Sequence, residues 1–222
     1  MTDFREHVSV EGLFDRALVI NRDQERGRLR LMGRAFSREG LPMPRRIGAV
    51  DLRRLQNNKW WRCSKNRYYA ANCAASHVMC IRTAEALGWP FVAVFEDDAW
   101  PQRGCRAALE RALAEVPADR GVVRMGCHAY DDGRRVGAHA YLVFADAYRT
   151  LLDAYRANIR NYCADMVFTL YRPLAAATMY AKGLFTQCNR VGDTWRYLPT
   201  HGAKPWQGVP PEGFPTAEEV LA

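Results

Sequence analysis

Five consecutive apolar residues, Phe91-Val92-Ala93-Val94-Phe95, run directly into three carboxylates, Glu96-Asp97-Asp98. A strand that alternates apolar and polar residues keeps one face in water. This one does not alternate, so both faces must be covered, as in the centre of a parallel sheet. Ala17-Leu18-Val19-Ile20 and Arg46-Ile47-Gly48-Ala49-Val50-Asp51 read as further strands before it, and residues 121–125 and 138–144 as strands after it. Helical spacing fills the intervals. Residues 22–38 place Leu29, Met32 and Phe36 on one face before Gly40, and residues 72–87 place His77, Ile81 and Ala84 on one face before Gly88. Residues 102–116 and 145–157 follow the same pattern, the latter through Tyr148, Leu151, Leu152 and Tyr155. The alternation predicts an α/β fold with a mostly parallel central sheet flanked by helices. We expect one domain over residues 1–222, with its core at about 17–198 and an irregular tail at 199–222 that carries Pro205, Pro210, Pro211 and Pro215.

A chain of 222 residues buries roughly 70% of its unfolded surface and needs no disulfide or metal to hold it together. Its seven cysteines are odd in number and form no CxxC pair, which reads as scattered reduced thiols and argues against a zinc site. No run of eighteen apolar residues and no apolar leader occurs, so the expected location is cytoplasmic. The net charge of +8 suits nucleic acid, an anionic membrane surface or anionic small substrates. No nucleic-acid-binding motif is present, so a specific nucleic-acid partner is not expected, and the lack of a glycine-rich phosphate loop counts against a nucleotidyl- or phosphotransferase. The arginines at 22, 26, 28, 30 and 34 have a solvated helix face as their default reading.

Ligands of open α/β sheets collect at the carboxyl ends of strands, where the three acids stand. Gathering like charges there is unfavourable, and a divalent cation offsets the repulsion. Hard oxygen ligands suit Mn²⁺ or Mg²⁺, which bridge diphosphate oxygens and stabilise the charge of a departing nucleotide diphosphate. The competing reading is that Asp97 and Asp98 cap a helix starting near Pro101.

Asn72-Cys73-Ala74-Ala75-Ser76-His77, followed about twenty residues later by Val92-Ala93-Val94-Phe95-Glu96-Asp97-Asp98, resembles glycosyltransferase family 25. That family includes lipooligosaccharide galactosyltransferases and collagen galactosyltransferases. Val19-Ile20-Asn21-Arg22 with Arg26, Ile47-Gly48-Ala49-Val50-Asp51, Gly137-Ala138-His139-Ala140-Tyr141, Asp165 and Gln187 fit the family's order. Asn72 stands where glycine is usual, Leu52 where glycine often follows the aspartate, and residues 59–69 match nothing in the family. The resemblance implies a GT-A type fold and a divalent metal. It also implies a UDP-sugar donor and a glycan or lipid-linked oligosaccharide acceptor.

Asp98 and Glu96 are then the candidate metal ligands, placed on one face by the strand period of two, with Asp97 on the other face toward the donor. Asp165 is the candidate general base, and Asp165 and Asp97 are the candidate catalytic residues. Asn21, Arg22, Arg26, Ser76, His77 and Glu96 are candidates for donor binding, although His77 also reads as a satisfied core histidine and Arg22 as a surface ion pair. Trp60, Trp61, Tyr68 and Gln187 are candidates for acceptor binding. The aromatic-basic stretch around the first three reads equally as a loop packed on the core. The basic surface further suggests peripheral association with an anionic membrane.

Overall fold

The computed structural model describes residues 8–51, 68–129, 135–158, 164 and 167–187. Its strands are β1 (Ala17–Asn21), β2 (Arg45–Gly48), β3 (Phe91–Glu96), β4 (Ala99–Pro101), β5 (Val122–Ala129), β6 (Arg135–Phe144) and β7 (Thr178–Gln187). They form one seven-stranded sheet in the order β2-β1-β3-β6-β5-β7-β4. β1 lies parallel to both β2 and β3, and β5 parallel to β7. β6 runs antiparallel to β3 and β5, and β4 antiparallel to β7. All strands but β6 and β4 therefore point the same way, so the sheet is mostly parallel as the apolar β3 predicts.

Helices cover both faces. On one side lie α3 (Tyr68–Ala86), α5 (Ala145–Asn158), α6 (Val167–Leu170) and α7 (Arg172–Ala176). On the other lie α1 (Val10–Asp15), α2 (Arg26–Arg38) and α4 (Cys105–Ala114). β3 divides its side chains between these layers by strict alternation. Val92 and Val94 join the α3 core, while Phe91, Ala93 and Phe95 join the α2 core. That parity sends Glu96, the last residue of β3, toward α3.

Phe95 anchors the α2 side. Its ring lies 5.8 Å from Phe14, 5.6 Å from Phe36 and 5.2 Å from Phe185, within the range of favourable aromatic pairs. The three partners come from α1, α2 and β7, so one side chain ties both sheet halves to their helices immediately before the acids.

The α1, β4 and β7 elements go beyond the sequence expectation. α1 has six residues, with Ser9 accepting a hydrogen bond from the backbone N–H of Gly12 at 3.0 Å. β7 evades an alternation test because its pairing to β5 shifts between Arg124↔Tyr180 and Gly126↔Phe185. Gly126 lies at this irregular stretch, and a Cβ there would stand 2.3 Å from the His139 Nε2. Only glycine admits that ring against the strand.

Replacing Phe95 by alanine empties the centre of this aromatic group. The expected loss is about 3–5 kcal/mol of unfolding free energy, read from the urea midpoint at unchanged slope. A loss under about 1 kcal/mol would show that the cluster does not hold the β3 terminus.

Candidate active site

Because β1, β2 and β3 are parallel neighbours, their carboxyl ends meet at one sheet edge. A cavity of about 230 Å³ opens there, between α2 and α3. Arg22, Asp23 and Gln24 reach it from the end of β1, Ala49, Val50 and Asp51 from the end of β2, and Glu96, Asp97 and Asp98 from β3. Arg28 borders it from α2, and Asn72, Cys73 and Ser76 from α3. All three acids of the triplet line one cavity.

They do so with different partners. β3 ends at Glu96, and Asp97 and Asp98 form a turn into β4. The period of two expected to put Glu96 and Asp98 on one face therefore stops at Glu96. Glu96 faces α3, where its Oε1 lies 3.0 Å from the His77 Nε2 and 3.8 Å from the Cys73 Sγ. Asp97 accepts a 2.7 Å hydrogen bond from the Asn21 Nδ2 and pairs with Arg28 at 3.1 Å. Asp98 pairs with the same guanidinium at 3.0 Å and accepts from the Gln187 Nε2 at 3.0 Å. Its second oxygen, Oδ1, is buried with no hydrogen-bond partner among the described residues.

His77 is fully buried, stacked against Tyr141 and Tyr155. Its Nδ1 lies 3.0 Å from the Tyr141 hydroxyl. A carboxylate only accepts, so Nε2 donates its proton toward Glu96. His77 acts behind Glu96, and it is Glu96 that reaches the cavity. Cys73 and His77, four residues apart on α3, bring their ligand atoms and a Glu96 oxygen within 4.8 Å of one another. Such a thiol, imidazole and carboxylate group is a possible cation site that cysteine spacing does not disclose.

Of the other candidates, Arg22 and Ser76 line the cavity. Asn21 is buried and also donates to the Glu25 carbonyl at 3.0 Å, while Arg46 donates to its Oδ1 at 3.1 Å and to Asp23 at 2.5 Å. Ser76 donates to the Asn72 carbonyl at 2.7 Å and accepts from the Val50 N–H at 2.8 Å. It thereby fixes the segment that presents Asp51. Arg22 borders the cavity and Arg26, at the start of α2, does not. Gln187, expected at the acceptor, is the β7 residue that holds Asp98. Asp165, Trp60 and Trp61 lie outside the described residues, as does the Tyr68 side chain at the start of α3. Among the described residues no helix is long and apolar enough to cross a membrane.

The environment separates the three acids. Burial pushes the Asp97 carboxyl up to about 6 from its ordinary 3.8, against the opposing pull of Arg28 and Asn21. Burial raises Asp98 as well, assisted by the charge of Glu96 and only partly offset by Gln187 and Arg28. Burial acts on Glu96 in the same direction. There the hydrogen bond and charge of His77, with smaller contributions from His139 and Cys73, outweigh it and hold the carboxyl below its usual value. The site thus contains one acid stabilised as the anion and two for which negative charge is unfavourable, a state that a bound cation relieves.

No protein-family profile matches the chain, and no curated protein matches it. Among solved structures, the chain is similar to a glycosyltransferase involved in the glycosylation of the major capsid of PBCV-1, with a TM-score of 0.53. The likeness covers 82% of this chain and 98% of that one at 9% sequence identity. The fold is one that a glycosyltransferase uses. At that identity the likeness speaks of the fold alone.

The raised Asp97 carboxyl makes stability depend on pH in a defined direction. Its protonated form favours folding, so its contribution is full below about pH 4 and is lost as pH rises through about 6. Asp97→Asn cannot ionise. In chelator, the variant should gain stability relative to the parent between pH 4 and 7, by up to ~3 kcal/mol. A pH-independent difference in melting would show that Asp97 is not held in this way.

Proposed function

We propose that the protein is a metal-dependent glycosyltransferase of the family 25 type. In this reading it moves galactose or another hexose from a UDP-sugar to a hydroxyl of a lipooligosaccharide or other glycan, with inversion. The observation that supports this most is the convergence of Glu96, Asp97 and Asp98 on one cavity at the carboxyl ends of parallel strands, in a fold shared with a glycosyltransferase.

The donor set fits a hard divalent cation such as Mn²⁺ or Mg²⁺. Carboxylate oxygens converge on the cavity, and the Asp98 Oδ1 is buried with a vacant acceptor position among the described residues. Asp98, with Glu96, would hold the ion, which when bound supplies charge stabilisation to the departing diphosphate. The remaining work falls to the protein's own groups. His77 and Cys73 orient Glu96, Asn21 orients Asp97, and Gln187 orients Asp98. Arg22 and Arg28 border the cavity as guanidinium donors suited to phosphate oxygens. Asp165 is assigned to accept the proton of the acceptor hydroxyl as the sugar carbon is attacked. Trp60, Trp61 and Tyr68 are assigned to the acceptor, where aromatic faces meet sugar rings, and an anionic membrane is the surface from which a lipid-linked acceptor would come.

One observation favours a second reading, a domain that binds nucleotide sugars or glycans without catalysis. Arg28 already bridges Asp97 and Asp98, so the acids have a counter-charge of their own. Activity separates the two readings. A thermal-shift screen of nucleotide sugars should find UDP-sugars raising the melting temperature more with Mn²⁺ than in chelator. Asp98→Ala should lower UDP-sugar transfer or hydrolysis at least about a hundredfold, with the fold retained. Undiminished activity in the variant, or in excess chelator, overturns the metal role.

A further inference from the structure

The guanidinium of Arg28 occupies a position that a divalent ion would contest. Nη1 lies 3.1 Å from the Asp97 Oδ1 and Nη2 lies 3.0 Å from the Asp98 Oδ2. The Arg28 side chain retains 26% exposure and borders the cavity, whereas the two acids retain 9% and 11%. One forked cation therefore offsets the repulsion of two neighbouring, nearly buried carboxylates from the solvent side. Each acid has a second anchor independent of Arg28, Asn21 for Asp97 and Gln187 for Asp98. The carboxylates can thus stay in place when the arginine leaves.

We infer that Arg28 is a built-in counter-cation that competes with the divalent ion for Asp97 and Asp98 and, once displaced, passes to the diphosphate of the donor. This rests on the metal-dependent reading above. A guanidinium fork matches paired phosphate oxygens as well as paired carboxylates, and its long side chain keeps the charge mobile at the cavity rim. Exchange keeps the site's charge balanced. The acids receive the ion and the diphosphate receives the arginine, so neither is buried without a partner. Binding of ion and nucleotide then becomes mutually reinforcing, because each removes a partner that would hold Arg28 back from the other.

The test compares the parent with Arg28→Gln, using Mn²⁺ alone and UDP as probes, with Arg30→Gln on the exposed face of the same helix as a control for general loss of charge. Calorimetry should show Arg28→Gln binding Mn²⁺ about tenfold tighter than the parent in the absence of nucleotide, and UDP weaker at saturating Mn²⁺. Arg30→Gln should leave Mn²⁺ affinity within about twofold of the parent. Arg28→Lys, which keeps the charge but loses the fork, should fall between them, and it carries the test should the glutamine variant not fold. A merely structural arginine predicts the opposite sign, with Mn²⁺ bound more weakly once the acids lose their support. Equal Mn²⁺ affinity in parent and variant overturns the competition and leaves the metal reading standing. No Mn²⁺ binding in either overturns both.

Discussion

Three adjacent carboxylates at the end of a fully buried strand repel one another, and much of the surrounding structure offsets that repulsion. His77 and Cys73 hold Glu96 from one helical layer, while Arg28 and Asn21 hold Asp97 and Asp98 from the other side of the sheet. Gln187 reaches Asp98 from β7, which extends the network to the far half of the sheet. The acids are thereby divided between two sets of partners. One set stabilises the Glu96 anion outright. The other leaves Asp97 and Asp98 short of full compensation, with their carboxyls raised.

This division follows from β3. Its alternation assigns Val92, Val94 and then Glu96 to the α3 layer, and Phe95 to the aromatic cluster on the α2 layer. Ending the strand at Glu96 lets the next two residues turn toward Arg28. A strand one or two residues longer would have put Asp98 beside Glu96 on the α3 face. The boundary of one strand thus decides whether the acids act as a single cluster or as two.

The apolar run of β3, the helices after β1 and β6, and the helical face of His77, Ile81 and Ala84 were legible in the sequence because each follows a strict period over many residues. β7 was not, because its register shift breaks the period, and β4 has only three residues. Arg28 read as one more solvated arginine. Helical spacing identifies the apolar face but not what a polar residue meets, and here the partners are 69 and 70 positions away in the chain. Cys73 was hidden similarly, since its neighbour Glu96 comes from a strand and not from a second cysteine. The acids themselves were conspicuous, since few physical reasons place three carboxylates after a strand with two covered faces.

We propose that the acid triplet is a divalent-cation site, with Arg28 now standing on Asp97 and Asp98 in the ion's place. Crystals grown with Mn²⁺ and UDP, with diffraction recorded at the manganese absorption edge, address it directly. The account predicts an anomalous peak in bonding contact with Asp98 and the Arg28 guanidinium moved from the carboxylates to the diphosphate. An Arg28 still bridging both aspartates, with no manganese at the triplet although UDP is bound, would contradict it.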